Sequence, residues 1–426
     1  MSTLVSIEPL PEKIQSPTPS SALNTPSLKL DPQFFTGNPL ERSLDVLQKF
    51  DGSAAPGAST EVSLIVVSGR SICVRNSEND ATNPNIDQDL QALLLGVNDP
   101  QLDLNSEFIS FIWQRDQVPG EAAEHGHASG SSSVRVSESC PEADYLAGQR
   151  LPLYLLGRDQ EQRWTFAVDI SSCRQGFLSF LKTSCGLDVK MGDLRMLMPT
   201  LSREACAIAG QAVALAQWHD AHQYCPRCGG PTVPVETGLR RRCTLDVAHK
   251  LYPRTDPVVI MLVESPDGNR ALLGRSKKFT SGMYTCLSGF IDQCESVEEA
   301  VRREVREEAR VQVDQVHILG TQPWPIGRYG TCELMLGCFA KAKSYEIMVN
   351  TDEMEDVQWY DRSELLAAVQ LYEQNKEETM QSLQQRSMES LGFWIPPPVA
   401  VAHHLIRQWV LHGEPFFPSG NTLPKL

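Results

Sequence analysis

The chain has 426 residues, 41% of them apolar, which suits ordinary globular cores in two or three domains. Its formal net charge of −15 argues against a general surface for nucleic acid or anionic membrane, while leaving room for a small basic pocket. Twelve cysteines in this length are too sparse for a disulfide scaffold, residues 1–40 lack a secretory h-region, and no run of about 18 apolar residues suggests a span; a reduced intracellular compartment without membrane contact is expected.

Residues 1–32 are rich in Ser, Pro and Thr, carry no period, and read as a disordered tail. Residues 33–199 read as a β-rich domain. Strand-like segments stand at Ser63–Val67, Ser71–Arg75, Glu107–Trp113, Pro152–Gly157 and Trp164–Ile170, separated by turn residues. His125 and His127 lie in the polar stretch Gln117–Ser137 and read as a solvated loop. This region names no chemistry by itself.

Residues 200–252 open with a helix over Arg203–His219. Its stripe is Ala205, Ile208, Ala212, Leu215 and Ala216, and its many small residues predict close packing. The knuckle Cys225-Pro-Arg-Cys228-Gly-Gly is half a zinc ribbon, and Cys243 supplies a third thiolate. A second Cys-x2-Cys is missing. Asp246 stands three residues after Cys243 and His249 six after, so a Cys3His site completed by His249 is preferred and Cys3Asp is second. Such a closed zinc site would be structural, clamping a hairpin with little core of its own.

Residues 253–413 alternate strand and helix. Val258–Val263 reads as a buried strand, and Ala271–Arg275 as its partner across Ser265-Pro266-Asp267-Gly268. Met283–Gly289 leads into a helix that Ser296 and Glu299 start as a capping box, with Val297, Val301 and Val305 as its buried stripe. Glu304, Glu307 and Glu308 sit at i, i+3 and i+4 on one face. Like charges so placed cost a few tenths of a kcal/mol, which a cation would remove. Hard oxygen ligands suit Mg²⁺ or Mn²⁺. Val316–Gly320 is strand-like, and Thr321-Gln322-Pro323-Trp324-Pro325 follows it. The polar stretch Gln370–Leu391 predicts a surface helix or a flexible arm. Residues 414–426 form a tail ending Leu423-Pro424-Lys425-Leu426, a partial match to a Ser-Lys-Leu peroxisomal address; the alternative is a cytoplasmic protein.

The spacing Gly289, Glu295, Arg303-Glu304-Val305, Glu307-Glu308 and Val311 resembles the Nudix box, G-x5-E-x7-R-E-U-x-E-E-x-G-U with U aliphatic. Arg310 replaces the second glycine, at a position after the helix where glycine commonly takes positive φ. The resemblance implies a Nudix α/β/α sandwich and a pyrophosphohydrolase. It implies Glu304 and Glu308 as metal ligands, Glu307 as ligand or base, Glu295 as a loop brace, and Arg303 as a partner of a box carboxylate.

Gln322-Pro-Trp-Pro325 resembles the motif that marks NADH pyrophosphatases within that superfamily. Cys-Pro-Arg-Cys-Gly before Tyr252-Pro-Arg-Thr-Asp-Pro, Glu353-x4-Gln-Trp359-Tyr and the Pro-rich run Ile395–Ile406 resemble the same group, so that the likeness covers residues 34–413. It implies Glu353 as a further metal ligand and a backbone carbonyl of Ser288 on metal. Tyr252, Gln322, Pro323, Trp324, Pro325 and Ala402 become substrate contacts. The segment Ile326–Glu333 is longer than the motif allows and sits in the specificity loop. The implied reaction is NADH to reduced nicotinamide mononucleotide and AMP, in a homodimer. Two other readings stay open: removal of NAD caps from RNA 5′ ends, and a catalytically weak dinucleotide-binding module.

Overall fold

A computed structural model describes residues 35–42, 62–75, 95–96, 151–160, 164–183, 188–327, 330–375 and 378–417. The N-terminal tail, the strand expected at Glu107–Trp113, the loop with His125 and His127, and the terminal Pro424-Lys425-Leu426 lie outside the described residues.

The first sheet comprises β1 (Val62–Ser68), β2 (Ser71–Arg75), β3 (Leu95–Gly96), β4 (Leu153–Arg158), β5 (Trp164–Asp169) and β6 (Val189–Asp193). Its strand order is β4-β5-β1-β2-β6, with β3 added to β1. Strands β1 and β5 run parallel, and the other pairs are antiparallel. Alternation along β1 sends Leu64 and Val66 to the face covered by α1 (Arg174–Thr183) through Phe177 and Leu181. Ile65 and Val67 go to the face covered by α2 (Arg203–Ala221). The domain expected to be β-rich therefore has a helix on each side of its sheet.

Small residues let α2 approach closely. A Cβ at Gly210 would lie 2.7 Å from both the Phe35 ring and Pro325. The three-stranded hairpin β7 (Thr232–Val235), β8 (Arg240–Cys243) and β9 (Lys250–Leu251) follows. It is fastened to α2 by a buried group. Arg241 donates to Thr232 Oγ1 (2.7 Å), to Thr232 O (2.9 Å) and to His219 Nδ1 (3.1 Å), and the His219 ring stacks on Tyr154 with centroids 4.0 Å apart.

The second sheet comprises β10 (Asp256–Glu264), β11 (Arg270–Ser276), β12 (Leu287–Phe290), β13 (Val313–Trp324), β14 (Glu333–Ala342) and β15 (Met354–Asp361). Its order is β13-β14-β10-β11-β15 with β12 on β10, and only the β10–β14 pair is parallel. Strand for strand, this repeats the first sheet. Val259, Met261 and Val263 of β10 face α3 (Val297–Ala309). Ile260 and Leu262 face α4 (Arg362–Gln374) and α6 (Val401–His412). The result is the expected sandwich, a sheet between helical layers.

One segment runs longer than expected. Strand β13 extends to Trp324 and so takes in Pro323, which a strand accommodates here because β13 is the sheet edge. The polar stretch 370–391 takes the helical one of its two expected forms. It closes α4 and then forms α5 (Met380–Leu391), which buries Leu383 and Ser387, with Ser387 Oγ donating to Phe393 O (2.6 Å). Among the described residues, no helix is long and apolar enough to cross a membrane.

Candidate active site

Ser296 starts α3. Its Oγ accepts from Glu299 N (3.2 Å), and the Glu299 carboxylate accepts from Ser296 N (2.8 Å). Ala300, Val301, Val305 and Ala309 bury the inner face. The helix ends on Arg310, whose φ of 59° is left-handed and whose N–H returns to Arg306 O (3.0 Å). Arginine thus occupies the conformation that glycine takes most easily.

Three carboxylates come to the working face with graded exposure. The side chain of Glu304 is 12% exposed and that of Glu307 47%, while Glu308 as a residue is 8% exposed. Arg303 lies among them. It holds Glu295 with two hydrogen bonds of 2.8 Å, and also donates to Glu304 (2.7 Å), Glu307 (3.1 Å) and the Phe290 carbonyl (2.8 Å). Glu295 in turn accepts from Asp292 N (3.0 Å), which closes the loop before the helix. The box glycine has a steric reason: a Cβ at Gly289 would lie 1.9 Å from the Glu304 carboxylate carbon. Ser288, beside it, pairs with Ile260 on β10.

Glu353 arrives from a separate loop. Met348 N donates to Ala309 O (2.9 Å) and Asn350 N to Glu308 O (3.0 Å), docking that loop on the last turn of α3. Burial pushes the Glu304 carboxyl above the usual carboxylate range, the Arg303 guanidinium opposes this, and the Glu307 and Glu353 charges add to it. A cation between these groups would reverse the sign. Mg²⁺ takes one or two carboxylates and completes its shell with waters and phosphate oxygens, so this open set of hard donors fits it.

The residues expected on the substrate side differ in burial and in their partners. Gln322 is buried, and both ends of its amide are engaged: Nε2 donates to Val399 O (2.9 Å) and Oε1 accepts from Val401 N (2.8 Å). This ties β13 to the start of α6, where Ala402 is buried. Trp324 is half-buried, with the Phe35 ring edge-on at 6.0 Å and the Arg195 guanidinium 5.7 Å from its centroid. Arg195 also donates to Ile326 O (3.3 Å). Both partners of Trp324 lie far from it in sequence, so no local signal pointed to them. Pro323 and Pro325 line a cavity of about 820 Å³ with Phe35, Gly210, Trp218 and Pro253, and no box carboxylate reaches it. Tyr252 is exposed and receives a hydrogen bond from Arg240 (3.0 Å).

The ligand atoms of Cys225, Cys228, Cys243 and His249 all lie within 4.8 Å of one another, the one such group among the described residues. Cys225 Sγ is 3.7 Å from His249 Nδ1, and Cys228 Sγ is 3.5 Å from Cys243 Sγ. Tetrahedral zinc with ordinary bond lengths would separate S and N by roughly 3.6 Å and two sulfurs by roughly 3.8 Å. The donor set therefore fits zinc in both chemistry and size.

Three family models match consecutive parts of the chain: an NADH pyrophosphatase-like rudimentary NUDIX domain at 129–218, an NADH pyrophosphatase zinc ribbon domain at 220–246, and a NUDIX domain at 254–383. The first of these takes in β4, β5 and β6 of the first sheet and most of α2. Nudix hydrolase 19, chloroplastic, of Arabidopsis thaliana is 40% identical over 61% of this chain and 64% of its own length. The NAD-capped RNA hydrolase NUDT12 of Homo sapiens is 40% identical over 49% of this chain and 43% of its own. The mitochondrial NAD(P)H pyrophosphatase NUDT13 of Homo sapiens is 35% identical over 60% of this chain and 70% of its own. The chain thus spans less than two thirds of the length of the first two relatives. Box, zinc ribbon and preceding domain agree in order and in kind, and the chain belongs to the Nudix hydrolase family, in its NADH pyrophosphatase branch.

Proposed function

We propose that this chain is a metal-dependent pyrophosphohydrolase that cleaves the diphosphate of NADH to reduced nicotinamide mononucleotide and AMP. The observation that carries the reading is the acidic face of α3, where Glu304 packs on Gly289 and feels the charges of Glu307 and Glu353, and where the loop bearing Glu353 is bonded to the Glu308 carbonyl. Bound Mg²⁺ or Mn²⁺ would neutralise phosphate charge and ease ionisation of the attacking water. Glu304, Glu308, Glu353 and the Ser288 carbonyl would hold it, and Glu307 would serve as ligand or as the base that takes the proton. The water oxygen bonds to phosphorus, and the bridging P–O bond breaks toward the departing nucleotide. Arg303 holds Glu295 and the carboxylates in register, so that their positions precede binding.

Tyr252, the strand end Gln322–Pro325 and Ala402 would build the substrate side, with Gln322 as its brace. Zinc on Cys225, Cys228, Cys243 and His249 would hold the hairpin that presents Tyr252. A homodimer, which rests on the family resemblance, and a peroxisomal rather than cytoplasmic location, which rests on the partial match at Pro424-Lys425-Leu426, belong to the same proposal.

The test is AMP release from NADH with Mg²⁺ or Mn²⁺, beside Glu308→Gln. Loss of a charge that serves the transition state is expected to lower kcat by about 100-fold or more with the fold intact. Equal turnover by the two proteins would sink the assignment of the box. The relatives named as NAD-capped RNA hydrolases favour a second substrate. Comparing kcat/KM for free NADH and for NAD-capped RNA ranks the two. Tight dinucleotide binding without turnover in the presence of metal would instead establish the weak binding module.

A further inference from the structure

We infer that Asp246 is a positioning residue for the thiolate–imidazole cluster, holding His249 so that Nδ1 and not Nε2 faces the cation. The inference rests on the zinc reading above. Cys243-x2-Asp246 repeats the spacing of Cys225-x2-Cys228, so the carboxylate stands where a second knuckle would carry its thiolate. It is nevertheless outside the converging group, whose fourth member is His249.

The turn explains why. Asp246 Oδ1 accepts from Ala248 N (2.9 Å), and Asp246 O accepts from His249 N (3.0 Å). These bonds fold the chain back so that His249 O meets Cys243 N (3.0 Å). The imidazole then stands between two groups. Nδ1 looks at Cys225 Sγ (3.7 Å), and Nε2 looks at Asp246 Oδ2 (3.3 Å). A carboxylate on one ring nitrogen keeps the proton there, so the lone pair is left on the other. Carboxylate, imidazole and metal thus form a line in which the outer group fixes both tautomer and ring plane.

The experiment measures zinc affinity by chelator competition on the full chain, in wild type, Asp246→Asn, His249→Cys and the double variant. Asparagine keeps an oxygen for Ala248 N but offers no acceptor to Nε2–H. The Asp246→Asn change is expected to weaken zinc about tenfold in wild type. With cysteine at 249 there is no ring to orient, and the same change is expected to matter by less than about twofold. An equal loss in both backgrounds would mean that the carboxylate only builds the turn, and no loss in wild type would overturn the idea outright. A wild-type protein that neither holds nor takes up zinc would remove the zinc reading, and this inference with it. Should His249→Cys not fold, the ¹⁵N ring signals of the zinc-loaded wild type decide: a proton on Nε2 of His249 is expected, and a proton on Nδ1 refutes the arrangement.

Discussion

At the scale of single residues, the box shows how a helix can carry three acids before any metal arrives. Arg303 is the internal counter-charge, bonded at once to Glu295, Glu304 and Glu307. Arg310 is the opposite case, a residue at odds with its backbone. A side chain in the left-handed region costs about 1 kcal/mol. Arg310→Gly is therefore expected to raise unfolding stability by roughly 1 kcal/mol, and to leave kcat unchanged because the exposed side chain holds no ligand position. Urea melts of the two proteins beside the AMP assay check both halves of that statement. Trp324 supplies another prediction. Arg195 lies over its ring, and such a contact at a partly exposed site is worth about 0.5–1 kcal/mol. If Trp324 contacts the dinucleotide, Arg195→Ala should raise KM for NADH roughly two- to fivefold with little change in kcat. A fall in kcat alone would place Arg195 elsewhere in the cycle.

At the scale of elements, legibility followed locality. The capping box, the buried valines and the carboxylate spacing all lie within one helix, so the sequence displayed them together. The cysteine knuckle is equally local, and its partners return within a short hairpin. Strand β13 runs past the expected Val316–Gly320 through Pro323, and the pairing of Pro323 with Leu334 on a sheet edge shows how a proline fits there. Helix α5 looked polar because it buries one narrow stripe, and Leu383 marks it only once Phe393 is seen nearby. The roles given to Gln322 and Trp324 came from a motif. Their present partners, Val399, Val401, Phe35 and Arg195, come from elements that the motif does not contain.

Helix α6 gives a pH prediction at this scale. His403 is buried with Nδ1 against Pro396 O (2.9 Å), and burial holds its pKa down to about 4. Because the folded value lies below the unfolded one near 6.5, the unfolded chain binds the extra proton first. The stability linked to this residue is complete above about pH 6.5 and is lost as the pH falls toward 4. In His403→Asn that part of the loss should vanish. Zinc-ligand protonation affects both proteins alike, so the difference between their urea midpoints at pH 7.5 and pH 5 isolates the histidine.

At the scale of the whole molecule, the two sheets share one strand order and one parallel pair. This was not legible, because β1 pairs with β5 across a long stretch of sequence and the spacing of short strands does not say which of them pair. What separates the copies is also what joins them. Helix α2 covers the first sheet, meets Pro325 at Gly210 and takes Ile326 into its core. The longer segment after Trp324 is thereby anchored on the first domain, where Arg195 donates to Ile326 O (3.3 Å) and Gly330 rests against Gln217, while its far end accepts at Cys332 O from Asp256 N (2.8 Å) of the second sheet.

Two neighbouring sheets with the same wiring pose a hazard during synthesis. An exposed strand of one copy finds, a short diffusion away, a vacancy of the right direction in the other, and like neighbours in one chain tend to exchange parts before either has closed. The buried join of Arg241, His219 and Tyr154 fastens the hairpin to the first copy, and that hairpin precedes the second sheet in the chain and so is translated before it. On the proposed zinc reading, the clasp on the same hairpin would be a punctuation mark in the chain's assembly: it would close the first sentence before the second, written in the same grammar, begins.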